Sequence, residues 1–317
     1  MSRFLGKAGA LLPRVAILLP TFNGEKYLSE QLDSLIGQTY ENTIIVVRDD
    51  GSGDGTWEVT RSYQSKFPQK FLILENDGRN LGASGSFSFL ISYVLEHKNE
   101  LGLTRAYMMF CDQDDIWIRD KVKRQMRCMV EVEGDGDTIP VLVHSDLRVI
   151  SESGYRVADS LMKYQGLFPE RNAFGQLLFC NLVTGCTALI NESLAAKALP
   201  IPPQAVMHDW WLALLAAAFG KLVFIDAPLV EYRQHAFNTI GAVEKPAYKT
   251  IGELAEKIRR TEPDPSLYQA ALQADAFLER FRGKLNTGQK IRLRLVSVLR
   301  TRSGVLQKAF RRLGRRF

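Results

Sequence analysis

The chain has 317 residues, of which 46% are hydrophobic and 24% charged, so its composition is that of a globular protein with room for one large α/β domain and an appendage. Its four cysteines are scattered without a CxxC spacing, so they indicate neither a disulfide framework nor a metal site and are expected to be buried free thiols in a reducing compartment. The formal net charge of +6 is uneven: thirteen Lys and Arg and no Asp or Glu lie in residues 280–317, which leaves the first 279 residues at −7.

No segment indicates a signal peptide or a membrane span. The first 15 residues are too short and too interrupted for the apolar core of a signal peptide. The apolar runs at residues 174–190 and 212–225 are both broken by polar residues and glycine. We therefore expect both runs inside the body of a cytoplasmic protein.

Strands and helices alternate through the first 133 residues. Four short apolar runs are typical of buried parallel strands, at residues 15–19, 44–47, 71–74 and 106–110. Amphipathic helical patterns follow them, the last with Val122, Met126, Met129 and Val130 on its inner face. This order predicts an α/β fold with a doubly wound, mostly parallel sheet and flanking helices.

Gly- and Asp-rich loops follow the strands, at residues 20–24, 49–55, 76–84 and 112–117. Ligands bind at the carboxyl ends of the strands in such sheets, so we expect these loops to converge on one site. No GxxxxGK[ST] or GxGxxG loop occurs, so neither a P-loop nor a dinucleotide fingerprint is supported. A carboxylate of the loop DDGSGDG can accept a hydrogen bond from a base or ribose, although a glycine turn with an Asx cap explains it equally well.

After Gly134 the pattern loosens. Residues 141–143, 182–190, 222–225 and 229–232 are strand candidates, and residues 208–219 are predicted to form a helix that ends at Gly220. A change of composition near residue 242 predicts two parts, a main domain over residues 1–242 and a basic helical extension over residues 243–317.

The acidic cluster Asp112, Asp114 and Asp115 directly follows the fourth strand. Clustered carboxylates are costly at a sheet edge unless a cation or hydrogen-bond donors neutralise them. Mg²⁺ or Mn²⁺ is a natural neutraliser, because such ions bind carboxylates together with phosphate oxygens. The alternative is a solvated acidic turn that caps the helix starting near Arg119.

Seven segments together resemble the inverting family 2 glycosyltransferases of the GT-A fold, and most of all their bacterial rhamnosyltransferase-type subgroup. The segments are LPTFNGEKYL, QTYENTIIVVRDDGSGDGT, NLGASGS, DQDDIW, VTGCTALIN, HDWW and YRQHAFN, within residues 14–241. The resemblance implies a nucleotide-sugar donor, a divalent cation (Mg²⁺ or Mn²⁺), and transfer to a cell-surface polysaccharide or lipid-linked glycan. L-rhamnose from dTDP-rhamnose is the favoured donor.

The resemblance also implies roles for single residues, position by position. On the donor side it assigns the base to Thr21, Phe22 and Asp50 with Asp49 close by, the sugar ring or phosphates to Arg79 and Asn80, and the ribose or sugar to Asp112. On the reacting side it assigns the metal to Asp114 and His235, support of either site to Asp115, and the general base to Asp209. Phe22 replaces the Tyr common in the family, which removes a hydroxyl and keeps a stacking face.

Each assignment has a structural alternative. The alternative for Asp209 is an N-cap of the apolar helix that follows it, a role compatible with that of base. If Asp209 is misaligned with the family's base, Asp146 is the nearest substitute. Trp117, Trp210 and Trp211 are either sugar-stacking rings or core residues, and His97 and His144 are expected to be structural. For His235, metal contact and hydrogen bonding within its loop are equally good explanations.

The C-terminal tail predicts a basic amphipathic helix. Leu306, Phe310, Leu313 and Phe317 form one stripe, and the arginines lie opposite. An anionic membrane surface fits this pattern, which favours a peripheral protein on the inner face of the plasma membrane. Nucleic acid is disfavoured because no recognition motif or interleaved aromatic platform is present, and a solvated or partner-docking end is the third option.

The sequence therefore predicts a metal-dependent inverting glycosyltransferase. The first alternative is a sugar nucleotidyltransferase, which would need a Gly-rich loop with a Lys or Arg after the first strand, and PTFNGEKY lacks it. The second is a basic nucleic-acid-binding protein.

Overall fold

The computed structural model describes residues 12–75, 78–134, 139–236, 238, 241 and 264–300. Nine strands form one sheet. They are β1 (Val15–Thr21), β2 (Thr43–Asp49), β3 (Phe71–Ile73), β4 (Tyr107–Phe110), β5 (Ile116–Trp117), β6 (Val141–Ser151), β7 (Arg156–Ala158), β8 (Leu189–Ile190) and β9 (Lys221–Gln234).

The strand order is β3-β2-β1-β4-β8-β6-β9-β5, with β7 paired to the edge of β6. Strands β1 to β4 are parallel, β8 runs antiparallel between β4 and β6, and β6 pairs parallel with β9 over its length. The prediction of a doubly wound, mostly parallel α/β sheet is confirmed. Its first half is the strand-helix alternation seen in the sequence, and its second half is mixed.

Helices cover both faces of the sheet. They are α1 (Glu25–Ile36), α2 (Thr56–Lys66), α3 (Gly82–Glu96), α4 (Lys121–Glu133), α5 (Leu161–Tyr164), α6 (Phe174–Leu177), α7 (Glu192–Ala198), α8 (His208–Phe219), α9 (Pro265–Phe281) and α10 (Thr287–Ser297). Successive residues of a strand point to opposite faces, so β1 sends Ala16 and Leu18 into one core and Ile17 and Leu19 into the other. The sheet therefore has one hydrophobic core on each face.

Three details differ from the sequence prediction. Val130 of α4 is 49% exposed rather than inward, because Val122, Met126 and Met129 already cover the sheet. Of residues 182–190, only β8 is a strand, since a 3₁₀ turn (Gly185–Thr187) precedes it. The two candidates at 222–225 and 229–232 are one long strand, β9, whose pairing with β6 shifts register after Ser145.

The last described helices pack against the main body. Phe277 and Phe281 of α9 contact Trp211 and Phe219 of α8, with ring centroids 4.9–6.2 Å apart within this aromatic group. The Arg280 guanidinium donates to backbone carbonyls at the end of α7, including that of Ala198 at 3.1 Å. Residues 242–263 and 301–317, and with them the tail stripe, lie outside the described residues, so the division at residue 242 stays a prediction.

Among the described residues, no helix combines the length and the apolar character that a membrane crossing requires. The four cysteines are free thiols, with Cys111 and Cys186 buried, Cys128 half-buried and Cys180 exposed.

Gly220 joins α8 to β9 at a point where there is no room for a side chain. A Cβ at Gly220 would lie 1.8 Å from the carbonyl oxygen of Pro140, and that oxygen also accepts the Lys221 N–H at 2.9 Å. Because backbone would have to move, Gly220→Ala is expected to lower the free energy of unfolding by about 2–4 kcal/mol in urea denaturation. The control is Gly283→Ala, where nothing lies within 4 Å of the added Cβ. Equal stabilities of the two variants would contradict this explanation.

Candidate active site

Three loops meet at the carboxyl edge of the parallel strands. Strands β1, β2 and β4 are neighbours and parallel, so the loops that follow them share one edge of the sheet. The Asn23 backbone N–H donates to Ser52 Oγ at 2.9 Å, and the Gly24 N–H to Thr56 Oγ1 at 2.7 Å. The expected convergence of the β1, β2 and β4 loops is therefore present.

The paired aspartates after β2 hold this edge together. Asp49 accepts hydrogen bonds from Thr21 Oγ1 at 3.0 Å and from the Gly51 and Ser52 N–H groups at 3.1 and 2.9 Å. Asp50 pairs with the buried Arg48 guanidinium. Thr21, Asp49 and Asp50 are each less than 5% exposed, so their buried side chains support the loop that follows β2. A direct contact of these three with the base stays a prediction.

The loop before α3 is attached to Asp50. Asp50 accepts the N–H groups of Leu81 and Gly82, both at 2.8 Å, where the N-terminal end of α3 favours negative charge. The Asn80 amide donates to the Asp50 carbonyl at 3.0 Å, and the Arg79 carbonyl accepts from Arg48 at 2.8 Å. Arg79 and Asn80 are exposed and lie beside the β2 loop, and their contact with the donor stays a prediction.

Burial and mutual repulsion weaken the acidity of the cluster after β4. Burial, then Asp114, then Asp209 raise the pKa of Asp112 to about 7. Burial, then Asp114 and Asp112, raise the pKa of the fully buried Asp115 well above its usual value. Electrostatic coupling of Asp112 to both Asp114 and Asp209 means that one compact region contains all of them.

Arg233 of YRQH, for which no role was predicted, supports this cluster from below. It is 3% exposed, and its guanidinium donates to the Asp114 carbonyl at 3.1 Å and the Glu152 carbonyl at 3.0 Å, and pairs with Glu30. Its backbone N–H donates to Asp115 at 3.2 Å. Arg233 lies within β9, one residue before its end, and no sequence signal could have paired it with a loop 119 positions away.

His235 and Asp114 face each other. The Nε2 atom of His235 lies 2.7 Å from Asp114 Oδ2, and both side chains are mostly buried, at 7% and 14% exposure. The ring of His235 packs 4.9 Å from that of Tyr27, and its backbone N–H donates to the Asn238 side chain at 2.6 Å. The two residues predicted to bind metal, 121 positions apart in the chain, are thus adjacent.

Asp209 lies in the first turn of α8 and is 8% exposed. Burial raises its pKa to about 6, although the Trp210 and Gly185 N–H groups and the Asn181 amide, which donates at 3.0 Å, oppose the rise. The alternative that Asp209 is only a helix cap is not supported, since the cap residue is Met207. The substitute Asp146 instead accepts N–H groups of Leu147 and Met162 in the second half of the sheet.

The histidines and tryptophans of the site region differ in how deeply their rings are buried. Among the described atoms, the ring nitrogens of His144 and His208 have no hydrogen-bond partner, and burial lowers the pKa of each to about 3. Trp117 and Trp211 are core residues at 3% and 0% exposure. Trp210 is half-buried with its indole N–H donated to the Leu177 carbonyl at 2.6 Å, so it alone of the three has a partly accessible ring.

The family model described as "Glycosyl transferase family 2" matches residues 16–195, which is more than half of the chain. The chain belongs to this family. The sequence is 29% identical over 284 residues to the dTDP-rhamnosyl transferase RfbG of Shigella flexneri, covering 86% of this chain and 91% of the relative. It is 26% identical over 235 residues to the uncharacterized glycosyltransferase alr2836 of Nostoc sp., covering 71% of this chain and 66% of the relative.

A solved structure shares the fold. S. aureus TarS 1-349, in complex with UDP-GlcNAc, superposes with a TM-score of 0.58 at 14% identity, covering 89% of this chain and 70% of that chain. This likeness concerns the fold alone and confirms the GT-A assignment. The resemblance to family 2 glycosyltransferases is likewise confirmed.

Two groups of side chains in the family 2 site carry atoms of the kind that bind a cation. Asp114 and His235 present a carboxylate oxygen and an imidazole nitrogen to one point, a set that suits Mn²⁺ and is less typical of Mg²⁺, which prefers oxygen ligands. Atoms of Asp112, Asp115 and Cys186 also lie within 4.8 Å of one another, a proximity that the scattered cysteines did not predict.

A buried lysine lies beside the second group of side chains, Asp112, Asp115 and Cys186. Lys121 is fully buried, 3.7 Å above the ring of Trp117, and Asp115 and Cys186 both act electrostatically on it. Burial lowers the pKa of Lys121 to about 7. Because the Lys121 amine already lies at this second group, the Asp114–His235 pair stays the predicted place for a metal.

Proposed function

We propose that this family 2 glycosyltransferase is metal-dependent and inverting, and that it moves a sugar from a nucleotide-diphosphate donor to a cell-surface polysaccharide or lipid-linked glycan. One observation carries the proposal: the Asp114–His235 pair lies on the sheet edge that carries the nucleotide loop, and a partly desolvated Asp209 acts on the same acidic cluster. The similarity to a dTDP-rhamnosyl transferase over most of both chains supports dTDP-rhamnose as the donor.

The donor would lie across the three loops. The exposed ring of Phe22 offers a stacking face for the base, beside the loop that Asp49 and Asp50 shape. Asp112, coupled to both the metal pair and Asp209, lies where the ribose or the sugar passes, and the exposed Arg79 offers its cation to the phosphates. A divalent cation held by Asp114 and His235 would neutralise charge on the leaving diphosphate.

Asp209 would act as the general base. Inverting transfer needs a carboxylate that takes the proton of the acceptor hydroxyl as that oxygen attacks opposite the leaving group. The Asn181 amide and the Gly185 N–H fix the orientation of Asp209, and burial makes its carboxylate more basic than a solvated one. A single carboxylate is enough for a single displacement, unlike the pair that a glycosidase uses.

The metal and the donor are tested together. With Mn²⁺ present, the wild-type protein is expected to bind dTDP-rhamnose more tightly than UDP-GlcNAc or GDP-mannose in isothermal titration calorimetry. Asp114→Ala should lose about tenfold or more of the affinity that Mn²⁺ confers, because one of two protein ligands is gone. The matched control is His97→Ala, since the ring of His97 contacts Tyr93 at the end of α3, with Nδ1 2.9 Å from the Tyr93 carbonyl oxygen. Donor binding that is indifferent to Mn²⁺ in the wild type would refute metal dependence.

The base is tested by pH. Asp209 must be ionised to accept a proton, so with its pKa at about 6 the transfer rate should rise through pH 6, reach a plateau above it and be about tenfold lower at pH 5. Asn181→Ala removes a donor that favours the ionised form, so the acidic limb should move to higher pH. Asp209→Asn should abolish transfer while donor affinity stays near that of the wild type. Unchanged turnover in Asp209→Asn would remove it from this role.

Membrane association belongs to the same proposal, because a lipid-linked acceptor is reached at the membrane surface. Residues 301–317 carry arginines and no acid, and each such cation near an anionic surface contributes about 1 kcal/mol. The support is the sequence pattern of the tail, together with the exposed Ile291, Arg294 and Val298 along α10.

Vesicle co-sedimentation tests this part. Replacing Arg311, Arg312, Arg315 and Arg316 by Gln should weaken binding to phosphatidylglycerol vesicles by about tenfold or more and reduce its salt dependence. A control variant loses four exposed cations elsewhere, through Gln at Arg61, Lys66, Lys123 and Arg124. If both variants bind equally well, the tail is a solvated end or a partner-docking helix.

A further inference from the structure

Gln113, the residue between Asp112 and Asp114, forms two hydrogen bonds with the backbone of Phe22. Its amide oxygen accepts the Phe22 N–H at 2.8 Å, and its amide nitrogen donates to the Phe22 carbonyl at 2.9 Å. One side chain thus satisfies both backbone groups of a residue 91 positions away, as a neighbouring strand would. Two such bonds fix orientation as well as distance, because neither rotation nor sliding preserves both.

Gly24 provides the space for this contact. A Cβ at Gly24 would lie 2.4 Å from Oε1 and 2.5 Å from Cδ of Gln113. The Gly24 backbone cannot retreat on the other side, because its N–H is bound to Thr56 Oγ1 at 2.7 Å. The Gln113 amide therefore packs directly against Gly24, and a side chain at position 24 would displace it.

Phe22 is held in an unusual exposure. Its side chain is 46% exposed, whereas Thr21 before it is buried, and Asn23 after it adopts a left-handed φ of 48°. A non-glycine residue with positive φ is sparsely populated and persists when its surroundings enforce it. The bonds of Gln113 to Phe22 and of Asn23 to Ser52 supply that constraint, and the result is an aromatic ring presented to solvent on a fixed backbone.

We propose that Gln113 is a positioning residue that fixes the Phe22 ring relative to Asp114. The residue that stacks on the base and the residue that holds the metal on the diphosphate then form one rigid unit. The inference rests on the proposed function and adds a determinant of nucleotide selectivity to it. Asp112 and Asp114 flank Gln113 directly, so any displacement of Phe22 is transmitted to the acidic cluster through a single residue. A ligand that occupies both ends then benefits from a geometry that was fixed beforehand.

The first experiment compares Gln113→Met with the wild type. Methionine keeps the length of the side chain and lacks both hydrogen bonds, so folding should be retained, as a thermal melt would verify. Dissociation constants for dTDP, UDP and GDP are measured with and without Mn²⁺, and KM and kcat with the preferred donor. We expect about tenfold weaker binding of the preferred nucleotide, reduced discrimination among the three, a raised donor KM and a kcat within about threefold of wild type.

The control is Gln69→Ala, an exposed glutamine far along the chain whose loss should change none of these values. A purely structural role for Gln113 would lower the melting temperature and leave the ratio of affinities among dTDP, UDP and GDP unchanged. That result, or unchanged affinities, would overturn the proposal.

A double-mutant cycle tests the steric half of the argument. Gly24→Ala alone should reproduce the affinity loss, because the added methyl displaces the Gln113 amide. Combining it with Gln113→Ala should cost no more than either change alone, since both disable the same contact. Additive losses would overturn the proposal. If the wild type binds none of these nucleotides, the proposed function fails first, so the two failures are distinguishable.

Discussion

The buried guanidinium of Arg233 is the contact on which the acidic site depends. Four carboxylates, those of Asp112, Asp114, Asp115 and Asp209, act on one another at this edge, and without internal donors their repulsion would open the loop. Arg233 binds the backbone of that loop and reaches α1 through Glu30, so a fixed positive charge stands on the protein side of the cluster. The planar fork of arginine suits this task, because it can hold several acceptors at once and stays charged when buried.

The same arrangement recurs at the neighbouring loops. Arg48 pairs with Asp50 as a buried cation next to a buried acid, and the buried Lys121, whose pKa burial lowers to about 7, lies in the electrostatic reach of Asp115. Each pair compensates a desolvation cost locally, and a buried pair of this kind contributes more to defining a unique geometry than to stability. On the same edge, Asp114 and His235 face each other as a mostly buried pair, the pair that we propose for a divalent cation.

Much of this was accessible from the sequence, and the limits are physical. Periodicity located β1 to β4 and their helices, since buried parallel strands and amphipathic helices leave distinct patterns, and strand order then brought the loops together. It could not locate Arg233 or Gln113, whose roles depend on partners 119 and 91 positions away. It also could not show that the carboxylates of Asp49 and Asp50 are engaged by the chain itself. These contacts depend on strand register and tertiary pairing. The two strand candidates form one strand, β9, because both pair with β6.

The packing of α9 on α8 has a consequence for how the chain folds. Trp211 and Phe219 form an aromatic face on α8, the helix that contains Asp209. Phe277 and Phe281 of α9 pack on this face and complete the hydrophobic core there. A chain cut after β9 would leave that face in water, where it would favour self-association of the shortened protein over its folding. The region between residues 242 and 263 therefore separates two stretches of sequence that share one hydrophobic interior, and α9 after it packs on the helix that contains Asp209.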